Sequence, residues 1–212
     1  MSQLELPLDK PADSSADTFL VGEANANAVH LLEHRASWPV MAAILTGPRK
    51  SGRSRLARIF ASRTGGRVID DAQGVSETEL FHAWNQAQAD RIPLLIVSDS
   101  PPGEWQVKLP DLRSRLAATP VLRIDPPDDT LIRELLGFWF DRREIVAAPD
   151  AIDYLSTRTE RSYVALLTMV DTIEAGFHGE RNRRVTIPRV KAILSPPNRL
   201  GDIGTNANRS AQ

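Results

Sequence analysis

The eight residues Gly47-Pro48-Arg49-Lys50-Ser51-Gly52-Arg53-Ser54 place two glycines, a cation and a hydroxyl at the spacing GxxxxGx(S/T). Glycines let a backbone curl and approach an anion closely, and a helix that starts in such a loop turns its unpaired amides and positive end toward phosphate. Ser54 would supply a hydroxyl to Mg²⁺. The cation departs from the usual lysine: the planar guanidinium of Arg53 keeps the attraction for phosphate while hindering close approach to the β- and γ-oxygens. The chemistry implied is nucleotide binding with poor hydrolysis. A Gly-rich turn without a ligand has the same composition. Asp70 and Asp71 end a short apolar run, where one carboxylate supports Mg²⁺ and its neighbour polarises a water; an aspartate pair also suits a plain turn. Ser98 ends another apolar run, where a polar side chain can sense a terminal phosphate, and Pro101 and Pro102 make turn chemistry an equal reading.

These residues need a frame, and the hydrophobic pattern predicts one. Apolar runs at 40–45, 67–69, 92–97 and 121–124 read as strands, the third being continuously apolar as a strand buried on both faces requires. Helical patterns fall between them, over 54–63 and around Leu80, Phe81 and Trp84. Alternating strands and helices predict an α/β fold with a parallel sheet, which places ligands at the carboxyl ends of its strands. From residue 128 onward only helical periodicity remains, carried by Leu131, Leu135, Leu136 and Trp139, then Ile152 and Leu155, then Val164, Leu167, Met169 and Val170. The expected organisation is a tail over 1–18, an α/β core over 19–126, a small all-α lid over 127–195 and a disordered Pro-, Asn-, Gly- and Ser-rich tail over 196–212.

Composition narrows the function. With 212 residues the chain can bury a substantial core. It has no cysteine, which excludes disulfides, thiolate metal sites and cysteine nucleophiles. The net charge of -1 lacks the basic excess of an autonomous DNA binder. The absence of a long apolar run or a signal-like start predicts a cytoplasmic protein without membrane contact. His30, His34, His82 and His178 share no metal-ligand spacing. Arg181, Arg183, Arg184, Arg189 and Lys191 form a late basic cluster that reads as a solvated face or as a contact for DNA or an acidic partner.

The N-terminus carries a second signal. Gln3, Leu4, Leu6, Pro7 and Leu8 keep three leucines in a tail whose composition otherwise sheds apolar residues, and Pro7 biases Leu6 toward an extended form suited to a groove. The string resembles the QLxLPL form of the sliding-clamp-binding motif. The alternative is that these leucines pack on the chain's own first domain.

Several strings then converge on one family. Phe19-Leu20-Val21-Gly22-Glu23-Ala24-Asn25 resembles the FxVGxxN segment of the replication initiator DnaA, and Val68-Ile69-Asp70-Asp71-Ala72-Gln73 its IDDxQ segment. Leu112-Arg113-Ser114-Arg115-Leu116 resembles box VII, and Arg161-Ser162-Tyr163-Val164 the start of the sensor II helix. Together they cover 19 to about 175. The resemblance implies a P-loop AAA+ core and helical lid of the DnaA type, with an abbreviated sheet because little chain separates the P-loop helix from Arg67. It implies ADP or ATP with Mg²⁺, held by Gly47, Gly52, Arg53, Ser54, Asp70, Asp71 and Ser98, with Ser54 and Asp70 on the metal. Arg53 and Ala165, which stands at the sensor II arginine, put hydrolysis in doubt. It further implies that Arg115 acts in trans as an arginine finger, a device contributing on the order of 10³ to 10⁵ in rate. The implied partners are the sliding clamp (the beta subunit of DNA polymerase III) and DnaA, with DNA reached mainly through them and a homo-oligomer open. The expected role is an ATPase-activating adaptor that restrains replication initiation. The competing roles are a self-contained ATPase of loader or motor type and a DNA-binding accessory protein.

Overall fold

The computed structural model describes residues 19–195. The leucine peptide and the C-terminal tail lie outside that range. Four strands, β1 (Ala42–Thr46), β2 (Arg67–Ile69), β3 (Leu94–Ser98) and β4 (Val121–Arg123), form a parallel sheet in the order β2-β3-β1-β4. Ile44 pairs with Ile96 on one side and with Val121 on the other, which fixes β1 and β3 at the centre. Every residue of both central strands is buried. Alternation along them separates two layers: Ala43, Leu45, Leu95 and Val97 pack with α1 (Glu23–Glu33) and α2 (Arg53–Thr64), while Ala42, Ile44, Leu94 and Ile96 pack with α3 (Glu77–Asp90) and α4 (Pro110–Ala118). A sheet clothed on both faces needs this apolar run, which is why the strands show no polar alternation in the sequence. No further strand lies between α2 and β2, so the sheet is as short as anticipated.

The edges of the elements shift by one or two residues from the sequence pattern. The run at 40–45 becomes Ala42–Thr46 because the Met41 amide is taken by Gln88 Oε1, 2.9 Å away, and not by a strand. The run at 92–97 becomes Leu94–Ser98, Pro93 having no amide to give a ladder. Helix starts follow local capping chemistry: Ser76 accepts from the Glu79 amide at 3.2 Å, and Asp128 Oδ1 accepts from Thr130 and Leu131 at 2.9 Å each. Gly65, left-handed at φ +66°, ends α2.

The lid comprises α5 (Asp129–Asp141), α6 (Pro149–Ser156), α7 (Tyr163–Ala175) and α8 (Ile187–Leu194) around Ile132, Leu136, Phe140, Leu166, Val170 and Ile173. It also carries a two-residue parallel pair, β5 (Val146–Ala147) with β6 (Arg184–Val185), which no periodicity announces. Leu135 packs against the lid cluster and the sheet core together. Among the described residues no helix is long and apolar enough to cross a membrane.

Candidate functional site

Because the strands are parallel, the ends of β1, β2, β3 and β4 share one edge of the sheet, where α/β proteins bind ligands. The loop from β1 to α2 is built for close approach. A Cβ on Gly47 would lie 2.8 Å from the Ile124 carbonyl oxygen, so only glycine lets the loop run against β4. Lys50 and Gly52 take positive φ, 66° and 88°. Between them Ser51 is buried, and its Oγ has no hydrogen-bond partner among the described residues. Following it, α2 begins at Gly52 without a side-chain cap, leaving its first amides for an acceptor. An orphaned buried hydroxyl beside uncapped amides fits a phosphate.

The cation of this loop is used differently. Arg53 donates from Nη1 to the Ser98 carbonyl and from Nη2 to the Asp99 carboxylate, reaching across to the end of β3. Ser98 Oγ donates to the Ser100 carbonyl at 2.7 Å, so the hydroxyl expected to sense phosphate is occupied in its own turn. Gln73 completes the knot by accepting from the Asp99 amide at 3.3 Å and donating to Ser100 Oγ at 2.9 Å. The strand end Ser98-Asp99 and Gln73 of the IDDxQ-like string stand out in the sequence, but the ion pair of Asp99 with Arg53 and the bridge from Gln73 to Ser100 do not.

Of the remaining predicted residues, Ser54, Asp70 and Asp71 lie along this sheet edge and Arg115 lies on α4. Ser54 is exposed on the first turn of α2. Asp70 and Asp71 are exposed at the end of edge strand β2, with the Asp71 amide donating to Asp70 Oδ1 at 3.0 Å and Asp71 left-handed at φ 52°. Arg115 lies on α4, against α3. Its Nε donates to Asn85 Oδ1 at 2.9 Å, Nη1 to the Asp111 carbonyl at 3.2 Å, and its guanidinium sits 4.5 Å from the Phe81 ring centroid. It makes no pair with the Asp111 carboxylate among the described residues. Arg113 donates from Nη2 to the Val107 carbonyl, a local structural bond. Gln3, Leu4, Leu6, Pro7 and Leu8 fall outside the described residues.

Between loop and lid lies a cleft of about 110 Å³, walled by Phe19, Leu131 and Trp139 with Lys50, Ser51 and Arg55 toward the loop. Small-molecule sites usually measure about 300 Å³ or more, so the cleft as it stands is narrower than a usual ligand site. Phe19 forms one wall by packing on the loop itself: a Cβ on Gly52 would stand 2.9 Å from its Cε2. Tyr163, at the start of α7, donates its hydroxyl to the Asp125 carbonyl at 3.0 Å and ties the lid to the end of β4. Burial, helped by Asp128 and Asp125, pushes its pKa up to about 12. Ala165 sits one turn inside α7 and brings no cation to the cleft. Arg161 pairs with Asp129 at the start of α5, 3.0 Å away.

In the late basic cluster Arg183 pairs with Glu174 at 3.0 Å and Arg189 with Glu180. Burial raises the Glu174 pKa, but its hydrogen bonds from Arg183 and Arg143 outweigh that and leave it below the usual carboxylate range.

No family model matches the sequence. An uncharacterized protein of Haemophilus influenzae is 31% identical over 134 residues, covering 60% of this chain and 57% of that protein, so the chain spans little more than half the relative's length. Among solved structures, domain III of the Thermotoga maritima replication initiation protein DnaA superposes with a TM-score of 0.69 at 16% identity, over 87% of this chain and 96% of that one. AMPPCP-bound DnaA from Aquifex aeolicus gives 0.59 at 17% identity, over 75% and 64%. The Thermotoga maritima RuvB Holliday junction branch migration motor gives 0.57 at 16%, over 82% and 69%. These likenesses are of fold: the chain shares with DnaA domain III and with RuvB a parallel-sheet core followed by a helical lid.

Proposed function

We propose that the chain is a regulator of chromosome replication initiation of the Hda kind. It docks on the sliding clamp through Gln3, Leu4, Leu6, Pro7 and Leu8, and it presents Arg115 to ATP held by DnaA, whose hydrolysis it stimulates. The observation that carries this reading is a phosphate cradle whose own cation is spent elsewhere. Ser51, Gly52 and the first amides of α2 are arranged for an anion, while Arg53 is bound to Asp99 and Ser98.

Bound ADP or ATP supplies the phosphate charge that such a cradle accepts. Gly47, Ser51 and Gly52 would hold the phosphates, Ser54 and Asp70 would serve Mg²⁺, and Phe19, Leu131 and Trp139 would line the base. Turnover in cis is disfavoured because Arg53 faces a carboxylate and Ala165 offers no charge from the lid. The resemblance to box VII assigns Arg115 the role in trans. A guanidinium held by Asn85 and stacked on Phe81 loses little freedom on meeting a phosphoryl group, which suits electrostatic stabilisation of a transferring phosphate. Tethering on a clamp raises the local concentration of this weak second contact.

The test is phosphate release. Purified chain with ATP shows little turnover, and DnaA with DNA-loaded clamp shows stimulation that requires the chain. Appreciable turnover by the chain alone supports a self-contained ATPase in its place.

A further inference from the structure

A second cavity, of about 240 Å³, lies between α1 and α2, walled by Val29 and Leu32 from one helix, Ile59 and Phe60 from the other, and Phe19. It opens beside the exposed side chains of Glu33, Arg35 and Arg63. Neither arginine pairs with a carboxylate among the described residues. A groove with an apolar floor and a rim of two arginines against one glutamate fits an extended peptide with alternating apolar residues and an acidic neighbour.

The chain itself carries such a peptide at this place. The 18 residues that precede Phe19 join the fold at the groove's own wall. Within them Leu4, Leu6 and Leu8 would share one side if the segment ran extended, and Glu5 would offer a carboxylate to Arg35 or Arg63. From Leu8 to Phe19 the backbone reaches at most about 40 Å, enough to fold back along a groove that starts at Phe19.

We propose that the α1–α2 groove is a docking site in cis for residues 3–8, so that the chain covers its own leucine peptide until a competitor takes it. The same leucines cannot be buried in two places. A partner that captures the peptide therefore uncovers the groove, and the groove lowers the peptide's apparent affinity for every partner.

The full-length chain provides the test. Amide chemical shifts are compared between the native sequence and the triple variant Leu4→Ala, Leu6→Ala, Leu8→Ala. The expected differences cluster at Val29, Leu32, Ile59 and Phe60, do not change with protein concentration, and reappear when a synthetic peptide of residues 1–10 is added to the variant. Superimposable spectra at those residues overturn the proposal. So do shifts that grow with concentration, which mark a second copy as the occupant. A second arm rests on the clamp reading above: Arg35→Glu with Arg63→Glu tightens binding to the sliding clamp about tenfold, by removing competition from a tethered site of roughly millimolar effective concentration. Unchanged clamp affinity overturns the competition. Native protein that shows the groove shifts yet never binds clamp sinks the clamp reading alone.

Discussion

Asp99→Ala is expected to tighten nucleotide binding. In the native chain any phosphate that recruits Arg53 must first take the guanidinium from Asp99. The arginine side chain is 11% exposed and the carboxylate 52% exposed, so one partner is dry and the other wet. A charge-assisted hydrogen bond contributes about 1.5–3 kcal/mol when protected, whereas an exposed ion pair contributes about 1 kcal/mol or less. Solvent access to Asp99 places this pair near the lower figure, about 1 kcal/mol. Removing the carboxylate should therefore improve ADP affinity about fivefold, since 1.4 kcal/mol corresponds to tenfold. Titration calorimetry with ADP and Mg²⁺ reads the change directly. The same substitution made in an Arg53→Ala background should do nothing, because the competition acts only through the guanidinium. Unchanged or weaker ADP binding by Asp99→Ala refutes the reasoning, as does an equal gain in the Arg53→Ala background.

Arg115→Ala should abolish stimulated phosphate release while clamp binding, read by surface capture, stays intact; retained stimulation removes Arg115 from the mechanism. Gly52→Ala forces a left-handed position and meets Phe19, so it should destabilise the fold by about 1–3 kcal/mol in urea titration. The raised pKa of Tyr163 means that the unfolded chain releases this proton first, so stability should fall between pH 10 and about 12. Tyr163→Phe should flatten that alkaline limb of thermal melts without altering the acid limb. Glu174 titrates in the opposite sense: its lowered pKa stabilises the fold above the ordinary value of 4.5, and the contribution is lost as pH falls through the folded value. Glu174→Gln should therefore reduce the loss of melting temperature on acidification.

The two central strands were legible because burial on both faces imposes uniform apolar runs, and the half-buried edge strand at 67–69 emerged with its bounds intact as β2. The phosphate loop was legible because glycine spacing is a local property. What the sequence concealed was long-range. Arg53 was read as facing phosphate, yet it turns to a carboxylate 46 positions away, a choice made by how closely α2 approaches β3 and not by the loop. Phe19 was read as part of a motif, and its packing on Gly52 depends on where the chain joins the domain. Arg115 was placed at an interface by resemblance, but its stacking on Phe81 and bond to Asn85 arise from the packing of α4 on α3. The β5–β6 pair escaped because two residues cannot display a period.

Helix α5 has a mechanical consequence. Its residues enter two hydrophobic clusters: Leu131 lies in the sheet core, Ile132, Leu136 and Phe140 in the lid, and Leu135 in contact with both. Leu131 also presses on Gly22 at the start of α1, where a Cβ would stand 3.2 Å from it. One helix is therefore built into both halves of the molecule. Unfolding either cluster would strip apolar contacts from the helix that the other shares, so the two halves should denature in a single calorimetric transition.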